Sequence, residues 1–291
     1  MAPNLKAMQR EKGTIWAAGA FDALSARLIE DAGFDALLTS GFGISSSFLG
    51  EPDAELYTMT ENLTVVRNVV NAVKFPVIAD IDTAYGNPIN VMRTIREFEN
   101  AGVSAVIMED QVAPKRCPAA SNMIEIISER EAVAKLEAAV NARRNPEMLI
   151  FGRTDAIDEA EAIKRAKAYV AAGADVIQPI SKCFKDYDGL RRLRDACGVP
   201  LSLQILGWLE RDLTREQIEE VAGFATYPLV PLMTVAQTVT ENLKVLAREK
   251  SSKNLPHPVM DHNVFGAFIG FPRIEELQKK YLRYGETTAA E

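Results

Sequence analysis

The chain has 291 residues, 47% of them hydrophobic and 25% charged, with a formal net charge of −7. This is the make-up of one large globular domain with a substantial core. The basic residues are scattered rather than gathered, which argues against a nucleic-acid face, and no apolar run approaches the roughly 20 residues that span a membrane. The N-terminal MAPNLKAMQREKG lacks the apolar core of a secretory signal, so a cytoplasmic protein is expected. Cys117, Cys183 and Cys197 lie far apart, and the two histidines, His257 and His262, fall near the C-terminus. Neither a disulfide framework nor a His-rich metal site is expected, and acid–base chemistry must rest on carboxylates, Lys, Tyr or Cys.

In chain order, a first strand is predicted over Thr14–Ala18 and a helix over 21–32. Ala32-Gly33-Phe34-Asp35 then leads into Ala36-Leu37-Leu38, where Gly ends a helix and the apolar run reads as a buried parallel strand. The same joint recurs at Ala101-Gly102, Ala172-Gly173 and Ala222-Gly223, leading into Ala105–Met108, Val176-Ile177 and Thr226-Tyr227. Further strands are predicted at Pro76–Asp80, Glu147–Gly152 and Val199–Leu203, and further helices at 60–73, 88–101, 128–144, 158–172, 186–196, 214–222 and 231–249. Eight unbroken alternations predict an α/β fold, a (β/α)8 TIM barrel. A doubly wound sheet is disfavoured because no Gly-rich dinucleotide loop follows the first strand. Residues 1–250 form the predicted barrel, and 251–291 a helical extension, with a charged helix from about Arg273 to Tyr284, suited to packing against a neighbouring subunit. The loops 41–58 and 110–127 are long, as active-site loops of barrels are.

The strand ends carry the chemistry. The third predicted strand stops at Asp80-Ile81-Asp82, the fourth at Glu109-Asp110 and the fifth at Arg153-Thr154-Asp155. In a barrel these ends converge on one mouth, where crowded carboxylates need a counter-cation. Hard oxygen donors without nearby His suit Mg2+ or Mn2+. Arg153 is placed to clamp a substrate carboxylate or phosphonate. Ser40-Gly41, after the second strand, offers hydroxyl and N–H donors to an oxyanion.

Asp80-Ile81-Asp82-Thr83-Ala84-Tyr85-Gly86-Asn87, then Met108-Glu109-Asp110-Gln111, Lys115-Arg116-Cys117, Arg153-Thr154-Asp155-Ala156 and Phe21-Asp22-Ala23-Leu24-Ser25-Ala26 together resemble the isocitrate lyase/phosphoenolpyruvate mutase superfamily over roughly residues 12–250. The resemblance implies a Mg2+-dependent barrel, commonly a homotetramer whose C-terminal helix is swapped onto a partner subunit. The implied chemistry makes or breaks C–C or P–C bonds beside a 2-oxo or 2-hydroxy acid through enolate-like intermediates. It implies Asp80 as direct metal ligand, with Asp82, Glu109 and Asp53 holding metal-bound water. Ser40, Gly41 and Phe42 would bind the carboxylate and oxyanion end of the substrate, and Arg153 a substrate anion. Cys117, with Lys115 and Arg116 lowering its pKa, would protonate the enolate as in the lyase branch, and Lys115 or Tyr85 would assist proton movement.

The chain departs from this pattern. Pro118-Ala119 stands in place of Gly-His, and Ile180, followed by Ser181-Lys182, in place of the Glu of lyases or the His of mutases. Gln204 replaces an Asn, and Phe42 a smaller residue. A further Glu of the pattern falls among Ile205, Leu206 and Gly207, so the part that reads the rest of the substrate is rebuilt with apolar groups, which disfavours isocitrate and 2-methylisocitrate. The expectation is therefore a carbon–carbon lyase that cleaves a substituted 2-hydroxy dicarboxylate, such as an alkylmalate, to a 2-oxo acid. The small carboxylate is its partner, with no nucleic acid or membrane. Alternatives are an oxaloacetate-type decarboxylase or hydrolase, a phosphonopyruvate-handling enzyme, and a non-catalytic metabolite-binding barrel.

Overall fold

Eight short aliphatic runs form parallel strands, apolar on both faces because helices cover one side and the barrel interior the other. They are β1 (Ile15–Ala20), β2 (Ala36–Thr39), β3 (Val77–Asp80), β4 (Ala105–Glu109), β5 (Leu149–Thr154), β6 (Val176–Pro179), β7 (Leu201–Gln204) and β8 (Ala222–Tyr227). Each pairs in parallel with the next, and β8 pairs with β1, so the predicted (β/α)8 barrel is closed. This computed structural model describes residues 4–118, 120–121, 123–180 and 182–282. Ala119 and Ser181, singled out above, and the end of the predicted C-terminal helix at Tyr284 lie outside the described residues.

The helices between the strands match the periodicity closely. The predicted helix 60–73 runs Met59–Ala72, with Thr58 and Glu61 forming a reciprocal capping box, and 88–101 runs Pro88–Ala101, with Asn87 as N-cap and Pro at the first position. Gly33, Gly102 and Gly173 take positive φ (87°, 93° and 99°), as the joint requires. The fourth joint is a correction. Ala222-Gly223 is not a helix end but the start of β8, because the helix Arg215–Val221 passes directly into the strand. A Cβ on Gly223 would lie 2.6 Å from Pro200 Cβ, so this glycine answers close packing rather than a turn.

Helices not read from the sequence include Leu5–Lys12 and Trp208–Asp212, as well as Gly41–Ile44 and Ser45–Leu49 inside the predicted loop 41–58 and His262–Ile269 in the C-terminal extension. The first buries only Leu5, which joins the apolar cluster of the barrel interior, and one buried position leaves no periodic signal.

The chain splits into two compact units between Thr234 and Val235. Within the second unit the helices His262–Ile269 and Phe271–Tyr281 follow the helix Val230–Glu249, which crosses the split. Among its described residues only Gly266 is buried, while Leu243, Val264, Phe271 and Ile274 are exposed. Among the described residues no helix is long and apolar enough to cross a membrane.

Candidate active site

The alternation of the strands carries directly into the site. Leu38, Ile78, Ile107 and Phe151 pack in the barrel interior. Side chains two residues further on face the same way, which sends Ser40, Asp80, Glu109 and Arg153 to the carboxyl-end mouth. Asp110, one residue out of phase, turns to the helix layer. Its carboxylate accepts from Thr154 Oγ1 (2.9 Å), the Arg165 guanidinium (3.1 Å) and Tyr169 Oη (2.5 Å). Of the acidic pair ending β4, only Glu109 therefore belongs to the mouth.

Asp80 Oδ1 accepts from Asp82 N–H at 3.0 Å, and Oδ2 accepts from Gly41 N–H at 3.4 Å. Lys115, on the loop after β4, brings Nζ to 2.5 Å from Asp82 Oδ1 and 3.0 Å from Asp53 Oδ1. Arg153 reaches Glu109 at 2.7 Å and Asp155 at 2.8 Å. Two buried cations thus balance part of the acidic cluster. Burial alone pulls the Lys115 ammonium down, but Asp82, Glu109 and Asp53 outweigh it and hold its pKa well above the ordinary value. Burial likewise opposes the Arg153 charge, and Asp155 and Glu109 more than restore it. Burial pushes the Asp80 carboxyl up to about 6 against the pull of Lys115, and drives Glu109 well above the carboxylate range against Arg153. Tyr85 Oη accepts from Asn62 Nδ2 at 2.7 Å and donates to Asp82 Oδ2 at 3.3 Å; burial and Asp82 raise its pKa, so it keeps its proton.

A cavity of about 450 Å³ opens on this cluster. Ser40, Asp53, Asp80, Lys115 and Arg153 line it from the β2–β5 ends, and Cys117 from the loop after β4. The β6–β8 ends contribute the apolar Ile180, Leu206, Trp208 and Leu229 together with Gln178 and Lys182, and Phe42 adds to the apolar surface. Since strand order around the barrel follows chain order, the polar and apolar ends face each other across the mouth. Gln204 lines the cavity as well, whereas Gly41, Asp82, Tyr85 and Glu109 are not part of the lining.

The sequence profile of the phosphoenolpyruvate phosphomutase family matches residues 5–239. The chain belongs to this family. It is 35% identical over 289 residues to a 2,3-dimethylmalate lyase of Eubacterium barkeri, covering 96% of this chain and 98% of that one. It is 38% identical over 206 residues to an oxaloacetate decarboxylase of Pseudomonas savastanoi pv. phaseolicola, covering 70% of each. The crystal structure of a phosphonopyruvate hydrolase with oxalate and Mg++ superposes with a TM-score of 0.85 at 28% identity, covering 97% of this chain and 100% of that one. The resemblance drawn from the Asp80–Asn87 and Lys115–Cys117 motifs is thus borne out at the level of family, and the chain is an enzyme of a family that includes lyases.

The donors present fit the divalent cation seen in the hydrolase. They are oxygens without His or Cys, and Glu109 Oε1 is buried with no hydrogen-bond partner. Among the described residues no three His, Cys, Asp or Glu side chains converge closely enough to hold an ion together.

Three residues of this family member's site were not legible as such. Gln178 lies on the inner face of β6 between Val176 and Ile180, lines the cavity, and accepts from Ser202 Oγ (2.9 Å) and Gln204 Nε2 (3.1 Å). The alternation of Val176, Gln178 and Ile180 was the available signal. Glu55 takes a left-handed φ of 53° and ties two other loops, accepting from Thr83 Oγ1 at 2.5 Å and from Lys115 N–H at 3.2 Å. Tyr57 is buried beside Asp80 and Asp82. Nothing in the spacing of Glu55 and Tyr57 points to the site, because both sit in an irregular loop.

Proposed function

We propose that the protein is a Mg2+-dependent carbon–carbon lyase that cleaves an alkylmalate-like 2-hydroxy dicarboxylate to a 2-oxo acid and a second carboxylate. The observation that carries this reading is the two-sided cavity, with Asp80, Lys115 and Arg153 at one end and Ile180, Leu206 and Trp208 at the other. The polar end suits the hydroxy-acid carbon and its carboxylate. The apolar residues of the other end suit an alkyl substituent.

In this reading Asp80 holds the ion directly, and Asp82, Glu109 and Asp53 hold it through water; Mn2+ suits the same donors. The bound ion supplies stabilisation for the negative charge of an enolate-like fragment. Ser40, Gly41 and Phe42 seat the carboxylate and oxyanion end, Arg153 adds a cation, and Ile180 and Gln204 shape the remainder. The 2-hydroxyl gives its proton to water, the C2–C3 electron pair passes to C3, C2 becomes the 2-oxo carbon, C3 takes a proton from Cys117 Sγ, and the Cys117 thiolate regains one from water. Lys115, held as a cation, and Tyr85, held protonated, assist by setting Asp82 and Asp53 rather than by accepting that proton.

Purified protein with Mg2+ is expected to release a 2-oxo acid from at least one of a panel of 2- and 3-alkylmalates, followed by coupled reduction of the product. No turnover across the panel, with turnover of oxaloacetate instead, would move the chain to a decarboxylase or hydrolase. The likeness to the oxaloacetate decarboxylase favours that as the second reading.

We also propose a homotetramer built through the second unit. Its helices expose Leu243, Val264 and Phe271 and bury only Gly266 among the described residues, too little for a core of their own. Sedimentation should give the mass of four chains; a monomer at micromolar concentration would refute it.

A further inference from the structure

Tyr57 poses a problem that the reaction above does not solve. Its side chain is 2% exposed, and its hydroxyl has no hydrogen-bond partner among the described residues. A buried hydroxyl left unpaired costs free energy, and such groups are rare unless water, an ion or a ligand completes them. Tyr57 is not part of the cavity lining, so the substrate does not complete it.

The surroundings narrow the choice. A Cβ placed on Gly41 would lie 2.9 Å from Tyr57 Oη, 3.0 Å from Asp80 Oδ2 and 3.2 Å from Asp82 Oδ1. Three oxygens therefore crowd against Gly41, at distances that leave no room for a Cβ. Two of them belong to carboxylates, which accept and cannot donate. A tyrosine hydroxyl carries its proton at neutral pH, so Tyr57 is available as a donor. Lys115 Nζ, 2.5 Å from Asp82 Oδ1, is a donor too and gives Tyr57 no acceptor.

We infer that the Tyr57 hydroxyl belongs to the outer shell of the divalent ion, donating a hydrogen bond to water held between it and the Asp80–Asp82 carboxylates. The inference rests on the metal reading of the proposed function. Tyr57 does not touch the reacting atoms; it is a positioning residue for the ion's water. Gly41 serves the same geometry, because a Cβ there would press on the Tyr57, Asp80 and Asp82 oxygens.

The test is Mn2+ titration of the full chain, wild type and Tyr57→Phe, followed by calorimetry and by the spin-resonance signal of free Mn2+. Loss of an outer-shell partner is expected to weaken Mn2+ binding by about ten-fold or more. Without metal, Tyr57→Phe should melt no lower than wild type, because the removed hydroxyl has no protein partner. Mn2+ should then raise the melting temperature of the variant less than that of the wild type. Dissociation constants within about two-fold of each other overturn the inference, and so does a lower melting point of the metal-free variant. Wild-type protein that binds no Mn2+ overturns the metal reading itself, whereas wild-type binding with an unchanged variant overturns only the role of Tyr57.

Discussion

Alkylmalate cleavage by Cys117→Ser is expected to fall by about 10²–10⁴-fold while Mn2+ binding stays unchanged. The loop after β4 explains the choice of residue. Lys115 points inward to Asp82 and Asp53, Arg116 points outward to Met123 O and Glu125, and Cys117 comes round to the cavity wall. In the proposed reaction a thiol at that place gives C3 its proton, and a serine hydroxyl is a far weaker acid. Loss of the proton transfer leaves binding of substrate and ion intact, so the fall should appear in kcat. The measurement is steady-state release of the 2-oxo acid alongside Mn2+ titration. A variant that keeps most of its turnover removes Cys117 from the chemistry.

Lys115→Met is expected to destabilise the metal-free protein by about 3–5 kcal/mol. The ammonium is buried and ion-paired with two carboxylates that are themselves buried, Asp82 and Asp53. Methionine matches the length of the chain but leaves both acids without their cation in a low-dielectric surround, which is the costly way to break a buried pair. Denaturant unfolding of wild type and variant measures the loss. Added Mg2+ should recover part of it, since an ion held beside Asp80 partly replaces the missing charge. A difference of less than about 1 kcal/mol, the range of exposed ion pairs, would mean that Lys115 does not hold the cluster as the distances imply.

Much of this molecule follows from local sequence. Helix periods, the glycines at 33, 102 and 173 and the short apolar runs determine eight β/α units, because each signal is set by backbone preference and a repeat of 2 or 3.6. The same period of 2 determines which strand-end residues enter the mouth: Ile78 predicts Asp80, and Phe151 predicts Arg153. It fails where the period is not applied residue by residue. Asp110 reads as one more carboxylate of the mouth until its phase places it against Arg165 and Tyr169, and Ala222-Gly223 copies a helix end while forming a strand.

Only the tertiary structure decides how the charges are shared. Lys115 reads as a neighbour that acidifies Cys117, yet its ammonium lies on Asp82 and Asp53, residues 33 and 62 positions away by number, because three separate loops meet there. Tyr57 and Glu55 belong to the site for the same reason, and Gln178 through its bonds to Ser202 and Gln204 across two strands. Barrel closure juxtaposes strand ends from the whole chain, so a sequence can specify which residues reach the mouth, while the pairing among them depends on distances that no local pattern encodes.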